Sequence, residues 1–199
     1  IVAYGDRRFS SLSVRNLSRQ LGDTVLLDDL SFTMFSGEVI AVVGPSGCGK
    51  TTLLNAISGV APADEGAVSF DGEDFHAQVR LNPALVGAVP QDDLVHAELT
   101  VEESLYYSGR LRFGPDVSDA GVWEQVDRVL QELELDQIRH NRVGDTLKRG
   151  ISGGQRKRVN LGQELMTRAT RVLFLDEPTS GLDPRASQDI ARLVRQLAD

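Results

Sequence analysis

Three glycines within six residues restrict what this chain can fold into more than any other stretch. Gly44, Gly47 and Gly49 follow the apolar run Val39-Ile40-Ala41-Val42-Val43 and lead into Lys50-Thr51-Thr52-Leu53-Leu54-Asn55-Ala56-Ile57. The run reads as a buried parallel strand and the segment from Thr51 as a helix, so a glycine turn joins a strand end to a helix start. In that order backbone N–H groups can close around phosphate oxygens with no Cβ in the way, and the helix N-terminus adds unpaired donors and the positive end of its dipole. The spacing over Gly44, Pro45, Ser46, Gly47, Cys48, Gly49, Lys50, Thr51 and Thr52 is that of a phosphate-cradling P-loop. Lys50 supplies a point charge for the outer phosphates of a nucleotide, and the Thr51 hydroxyl a ligand for the magnesium ion that bridges them.

Composition narrows the setting. At 199 residues the chain makes one domain and buries roughly 70% of the surface of its unfolded form. Its 21 Lys+Arg against 29 Asp+Glu leave a net charge of -8, which argues against a nucleic-acid-binding surface. Cys48 is the sole cysteine, excluding an internal disulfide and a cysteine zinc cluster, and fits a reducing, cytosolic setting. No apolar stretch reaches the 18 or so residues of a membrane helix, and Ile1 to Asp6 lacks a signal-peptide layout.

Leu12 to Leu17 and Leu30 to Met34, the latter after Thr24-Val25-Leu26-Leu27, alternate apolar and polar side chains as half-buried antiparallel strands do. Ala67-Val68-Ser69-Phe70 before the turn pair Asp71-Gly72 extends the pattern into a small sheet beside the phosphate-binding core. Val86 to Val89 reads as a short strand delivering Pro90-Gln91-Asp92-Asp93 to a loop. Thr100-Val101-Glu102-Glu103 is a capping box ahead of Leu105, Tyr106 and Leu111, and Val122, Val126, Val129, Leu130 and Leu133 recur at helical spacing after Gly114-Pro115. A helix from Gln155, a strand over Val172 to Leu175 and a closing helix at about 186–197 complete the chain. His76, His96 and His140 read as surface or structural histidines.

The strand Val172-Leu173-Phe174-Leu175 ends in Asp176-Glu177-Pro178. Alternation at a strand end turns neighbours apart, so Asp176 can face a magnesium ion while Glu177 faces the water that attacks the γ-phosphate. Taken alone, the pair also reads as an acidic loop after a core strand; with the P-loop upstream it reads as hydrolysis rather than binding alone. Ile151-Ser152-Gly153-Gly154-Gln155 precedes a helix and makes a second anion-binding end. Arg156, Lys157 and Arg158 then fall in its first turn, where cations oppose the dipole, unless they form a solvated basic face.

With Gln91 and Ser180-Gly181-Leu182-Asp183 the set resembles the nucleotide-binding domain of an ATP-binding cassette (ABC) transporter over nearly the whole chain. Thr52 to Ala56, Leu99 to Glu103, Gly154 to Arg158 and Leu175 to Asp183 are similar to its G subfamily of half-transporters. The resemblance implies an α/β P-loop NTPase fold with a RecA-like core, an antiparallel β subdomain and a helical subdomain. One domain is expected over 1–199, with core and β lobe at about 10–98 and 159–199 and a helical lobe at about 99–158, stopping before the family's switch histidine. It implies ATP and Mg2+ as cofactors. Walker A (Gly44 to Thr52) holds nucleotide, Gln91 and Glu177 act in catalysis, and Thr51, Gln91 and Asp176 hold metal. Signature residues Ser152, Gly153, Gly154 and Gln155 serve the opposite subunit's nucleotide beside the D-loop, Ser180, Gly181, Leu182 and Asp183.

The partners implied are a second nucleotide-binding domain, identical or not, joined head to tail on Mg-ATP, and a transmembrane domain on the same polypeptide. The implied role is to power export from the cytoplasmic face of a membrane, with no nucleic acid involved. A soluble ABC ATPase, acting as an ATP-driven clamp in translation or DNA repair, is the alternative. The family's adenine-stacking aromatic is matched by Leu21, so recognition leans on the triphosphate, or Tyr4 or Phe9 covers the base.

Overall fold

The computed structural model describes residues 2–3, 10–92, 94–144, 150–167 and 169–198, so Tyr4, Phe9 and Asp93 lie outside it. It divides into two compact units, one of 1–87, 171–176 and 195–199, the other of 88–170 and 177–194.

In the first unit β1 (Val2–Ala3) is followed by the long hairpin β2 (Ser11–Leu21) and β3 (Thr24–Phe35), which turns at Gly22 with φ 58. Helix α1 (Lys50–Ser58) comes next, then β4 (Glu65–Phe70) and β5 (Glu73–Asp74) around Asp71-Gly72, both at positive φ. The antiparallel sheet is ordered β3-β2-β4-β5. Leu12 and Val14 share one face by the two-residue repeat; Leu17 breaks the phase, and register shifts beyond Val14 and Arg15 return it to the core. Met34, Leu53, Ile57, Phe70 and Phe75 pack with them.

The turn after β5 starts a helix that the sequence reading passed over, α2 (Phe75–Leu81), whose cap Asp74 accepts a hydrogen bond from Ala77 N. His76 Nε2 lies 3.0 Å from Ile57 O, a structural contact between α2 and α1. A second sheet is ordered β1-β7-β6, with β6 at Val86–Val89 and β7 at Val172–Leu175.

One expectation is overturned. The run Val39 to Val43 is no buried strand: Val39 forms a lone bridge, 40–45 carry no regular structure, and Val43 is 90% exposed. A parallel strand needs neighbours laddered to it and cover on both faces, and among the described strands none is paired with this run.

The second unit is helical. α3 (Val101–Arg112) opens on the expected capping box, with Thr100 and Glu103 exchanging both hydrogen bonds. α4 (Asp119–Glu132) is capped by Ser118 and buries Val122, Val126, Val129 and Leu130 along one stripe. α5 (Gly153–Leu165) presents Gly162 to the other two, where an added Cβ would come within 2.9 Å of Leu105 and Leu133. α6 (Pro184–Ala198) closes the chain, two residues earlier than the sequence reading placed it. Glu102 accepts from Arg139 Nε and pairs with His140 Nδ1, each at 2.7 Å.

Two outcomes are expected. Gly66 has φ 95, and a Cβ there would meet Arg15 O and Asn16 O at 2.5 Å, whereas Gly72 (φ 84) has open space around it. Gly66→Ala should therefore cost about 1–3 kcal/mol more in urea unfolding than Gly72→Ala, because backbone cannot step aside as a side chain does; equal costs would contradict the tight bulge. Burial works to raise the Glu102 pKa, yet hydrogen bonds from Arg139 and His140 and their charges outweigh it and hold the carboxyl below 4.5. A depressed pKa stabilises above the unfolded value and is lost as pH falls through the folded one. Glu102→Gln should thus lower Tm at neutral pH, and the gap to the parent should close as pH falls from 4.5.

Candidate functional site

In the first unit the glycine loop is shaped so that side chains cannot fill it. Gly47 and Gly49 sit at φ 78 and 93, and a Cβ on Gly44 or Gly49 would approach Cys48 Sγ at 2.5 Å or Leu26 O at 2.9 Å. Gly49 caps α1 in the left-handed conformation without any side-chain cap bond. The first N–H groups of α1 are therefore left for a ligand. Lys50 Nζ donates to Gly44 O at 3.0 Å and Pro45 O at 2.8 Å, spending two of its three donors on the loop itself. Thr51, next along, donates from Oγ1 to Asp176 Oδ2 at 2.9 Å. A hydroxyl and a carboxylate side by side, an ammonium and a row of N–H groups form the donor set for a phosphate chain with a hard divalent cation. Pro45, Ser46, Cys48 and Thr52 complete the loop as read, with Cys48 exposed.

Leu21, matched to the base-stacking position, is 70% exposed at the tip of the β2–β3 hairpin. A cleft of about 300 Å³ opens beside that hairpin, lined on its apolar side by Val25 and Leu27 and on its polar side by Arg19, Gln20 and Asp28.

The second unit holds the remaining residues. β7 ends at Leu175, so Asp176 and Glu177 both lie past the strand rather than alternating along it. What separates them is backbone conformation: Glu177 sits at φ 46, in the left-handed region that costs a non-glycine residue about 1 kcal/mol or more. Its Oε2 accepts from Gln91 Nε2 at 3.0 Å, and its carbonyl accepts from Ser180 N at 2.9 Å. The two predicted catalytic residues are thus in contact, 86 positions apart in sequence.

Ser152 is the cap of α5 and forms a capping box with Gln155, accepting from Gln155 N at 3.3 Å while Gln155 Oε1 accepts from Ser152 N at 2.9 Å. Ser-x-x-Gln was visible in the sequence as that signal. The helix therefore starts at Gly153, and Arg156, Lys157 and Arg158 fall beyond its first turn, where the dipole penalty fades. None of the three is a freely solvated face residue. Lys157 is buried and donates to Gln91 O at 2.6 Å, Arg158 donates to Leu133 O and Glu134 Oε2, and Arg156 buries its Nε.

Gly153 and Gly154 bring α5 against the D-loop and α6, since a Cβ on each would lie 3.2 Å from Leu182 Cδ2 and 3.3 Å from Ala186 Cβ. Gly181 turns at φ 73, and Asp183 caps α6 by accepting from Arg185 N and Ala186 N at 2.9 and 3.0 Å.

Residues 27–180 match the family model described as ABC transporter. Over 195 residues the chain is 42% identical to an ABC transporter ATP-binding/permease protein of Mycobacterium tuberculosis, covering 98% of this chain and 22% of that protein. ABC transporter G family member 28 of Arabidopsis thaliana is 46% identical over 164 residues, 81% of this chain and 14% of its own length. Member 25 of Oryza sativa subsp. japonica is 41% identical over 186 residues, 92% and 18% respectively. The chain thus spans well under a third of the length of the relatives it matches. A glycine loop closed to side chains and matched relatives over almost its whole length lead to one assignment: the chain belongs to the ABC transporter family, as an ATP-binding, ATPase domain of P-loop NTPase fold like those of the G subfamily.

Proposed function

We propose that this chain binds Mg-ATP at Gly44 to Thr52, hydrolyses it head to tail with a second such domain, and powers export through a membrane domain of the same polypeptide. The observation that carries the reading is the meeting of Thr51 and Asp176 beside Lys50, which gathers charge and oxygen ligands at the uncapped start of α1. Bound Mg-ATP would supply the polarised γ-phosphate. The chain's own groups do the rest. Backbone N–H groups of the loop and the Lys50 ammonium hold the β- and γ-phosphates, and Thr51 and Asp176 hold the cation. Glu177 takes a proton from the attacking water, and Gln91 orients Glu177 through their hydrogen bond.

Ser152, Gly153, Gly154 and Gln155 are the donors offered to the nucleotide of the second domain. The Ser152 hydroxyl uses its oxygen on Gln155 N, which leaves its O–H to donate to an anion. Ser180 to Asp183 meet that partner as the D-loop. The membrane path belongs to the remainder of the polypeptide: no helix among the described residues is long and apolar enough to cross a membrane, and the Mycobacterium tuberculosis relative is an ATP-binding/permease protein. In this reading the domain works at the cytoplasmic face of that membrane, in contact with the ATP pool.

Glu177→Gln keeps the shape and the bond to Gln91 but not the base. In the full-length protein, ATP affinity should stay within a few-fold while kcat falls by about 10²-fold or more; near-normal turnover would take Glu177 out of the role of base. Asp176→Asn removes cation charge and leaves Lys50 in place. Nucleotide binding measured with a chelator present should be unchanged, and the Mg2+ concentration for half-maximal ATPase should rise about tenfold or more. An unchanged Mg2+ requirement would contradict the assigned cation site.

A further inference from the structure

Beyond the residues the proposed reaction names, the structure assigns a positioning role to Lys157: its buried ammonium, bonded to the carbonyl oxygen of Gln91, ties signature helix α5 to the glutamine that holds Glu177. This rests on the proposed ATPase reading and deepens it. Two hydrogen bonds form the link. Lys157 leaves α5 one turn after the Ser152–Gln155 capping box and is 7% exposed. Its Nζ donates to Gln91 O at 2.6 Å. Gln91 Nε2 in turn donates to Glu177 Oε2 at 3.0 Å.

The energetics favour a selected feature over an incidental one. An ammonium taken out of water costs several kcal/mol unless its donors are satisfied, and lysine is among the residues least often fully buried. A buried lysine whose ammonium donates to the Gln91 carbonyl oxygen fixes that peptide's orientation. Gln91 has little else to fix it: it is exposed and lies in a bend after β6, outside any helix or strand. Its partner Glu177 is also exposed and in the left-handed backbone region. A movable glutamine and a strained glutamate thus take their mutual position from a rigid helix through Lys157. Because α5 also carries Ser152 at its start, a shift of that helix on docking a phosphate is passed to Glu177 by the same two hydrogen bonds. The pathway is a contiguous set of hydrogen bonds, the form in which coupling between two sites is carried.

The test is a double-mutant cycle on ATPase in the full-length protein. Lys157→Met keeps the length and packing of the side chain and removes the donor; Gln91→Ala removes the bond to Glu177. Lys157→Met should lower kcat about tenfold or more with KM for ATP and binding of a fluorescent ATP analogue within twofold, a split that a loss of folding alone does not produce. On the Gln91→Ala background the same substitution should add less than threefold, since the link is already broken. If Lys157→Met does not fold, Lys157→Gln, which keeps a polar tip in the same space, is read by the same cycle. Unchanged kcat, or losses that multiply, overturns the role of Lys157. Failure of the parent protein to turn over ATP would instead count against the ATPase reading.

Discussion

Every helix begins with N–H groups that have no partner within it, and the two functional helices of this chain answer that constraint in opposite ways. α1 starts at Gly49 with no side-chain cap, so its donors and the positive end of its dipole face whatever the glycine loop admits. α5 starts at Ser152, whose hydroxyl and the Gln155 amide satisfy the first donors from within the chain. A glycine at the cap position costs roughly a few tenths of a kcal/mol relative to Ser, Thr, Asp or Asn. That cost is recovered only when an anion binds, which is what makes α1 a site rather than a flaw. The capped α5 is stable by itself and leaves the Ser152 hydroxyl proton and two bare glycines at its start.

The acidic pair shows how one peptide unit can separate two chemistries. Asp176 follows β7 and takes a bond from Thr51, so its carboxylate lies at the start of α1. Glu177 twists into the left-handed region and takes its bond from Gln91. Alternation along a strand cannot do this, because the strand has ended. Strain at φ 46 sets the divergence, and strained non-glycine residues persist where surrounding bonds over-determine them. Here the Gln91 side chain and the Ser180 amide supply two of those bonds.

Much of the architecture was legible because its signals are local. The capping box at Thr100, the stripe Val122 to Leu130, the alternation in β2 and β3, the turn at Asp71-Gly72 and the glycine loop each depend on residues a few positions apart, and each is found where it was read. Helix α2 has too weak a local signal to be legible, being seven residues long and resting on one cap, Asp74, and on the burial of Phe75. The apolar run Val39 to Val43 misled in the other direction: hydrophobicity marks a candidate strand, but pairing is supplied by segments far away in the chain.

The sequence by itself determined the glycine loop with Lys50 and Thr51, the acidic pair and the family, since these are patterns of residue type at short spacing. Only the tertiary structure decided which of them meet: Thr51 with Asp176, Gln91 with Glu177, and Lys157, one of three cations adjacent in sequence, buried on the carbonyl of Gln91. Charge and helical phase say that a lysine can reach solvent along its stem. Whether it does so depends on which distant carbonyl lacks a donor, and that is set by packing between segments the sequence does not place side by side.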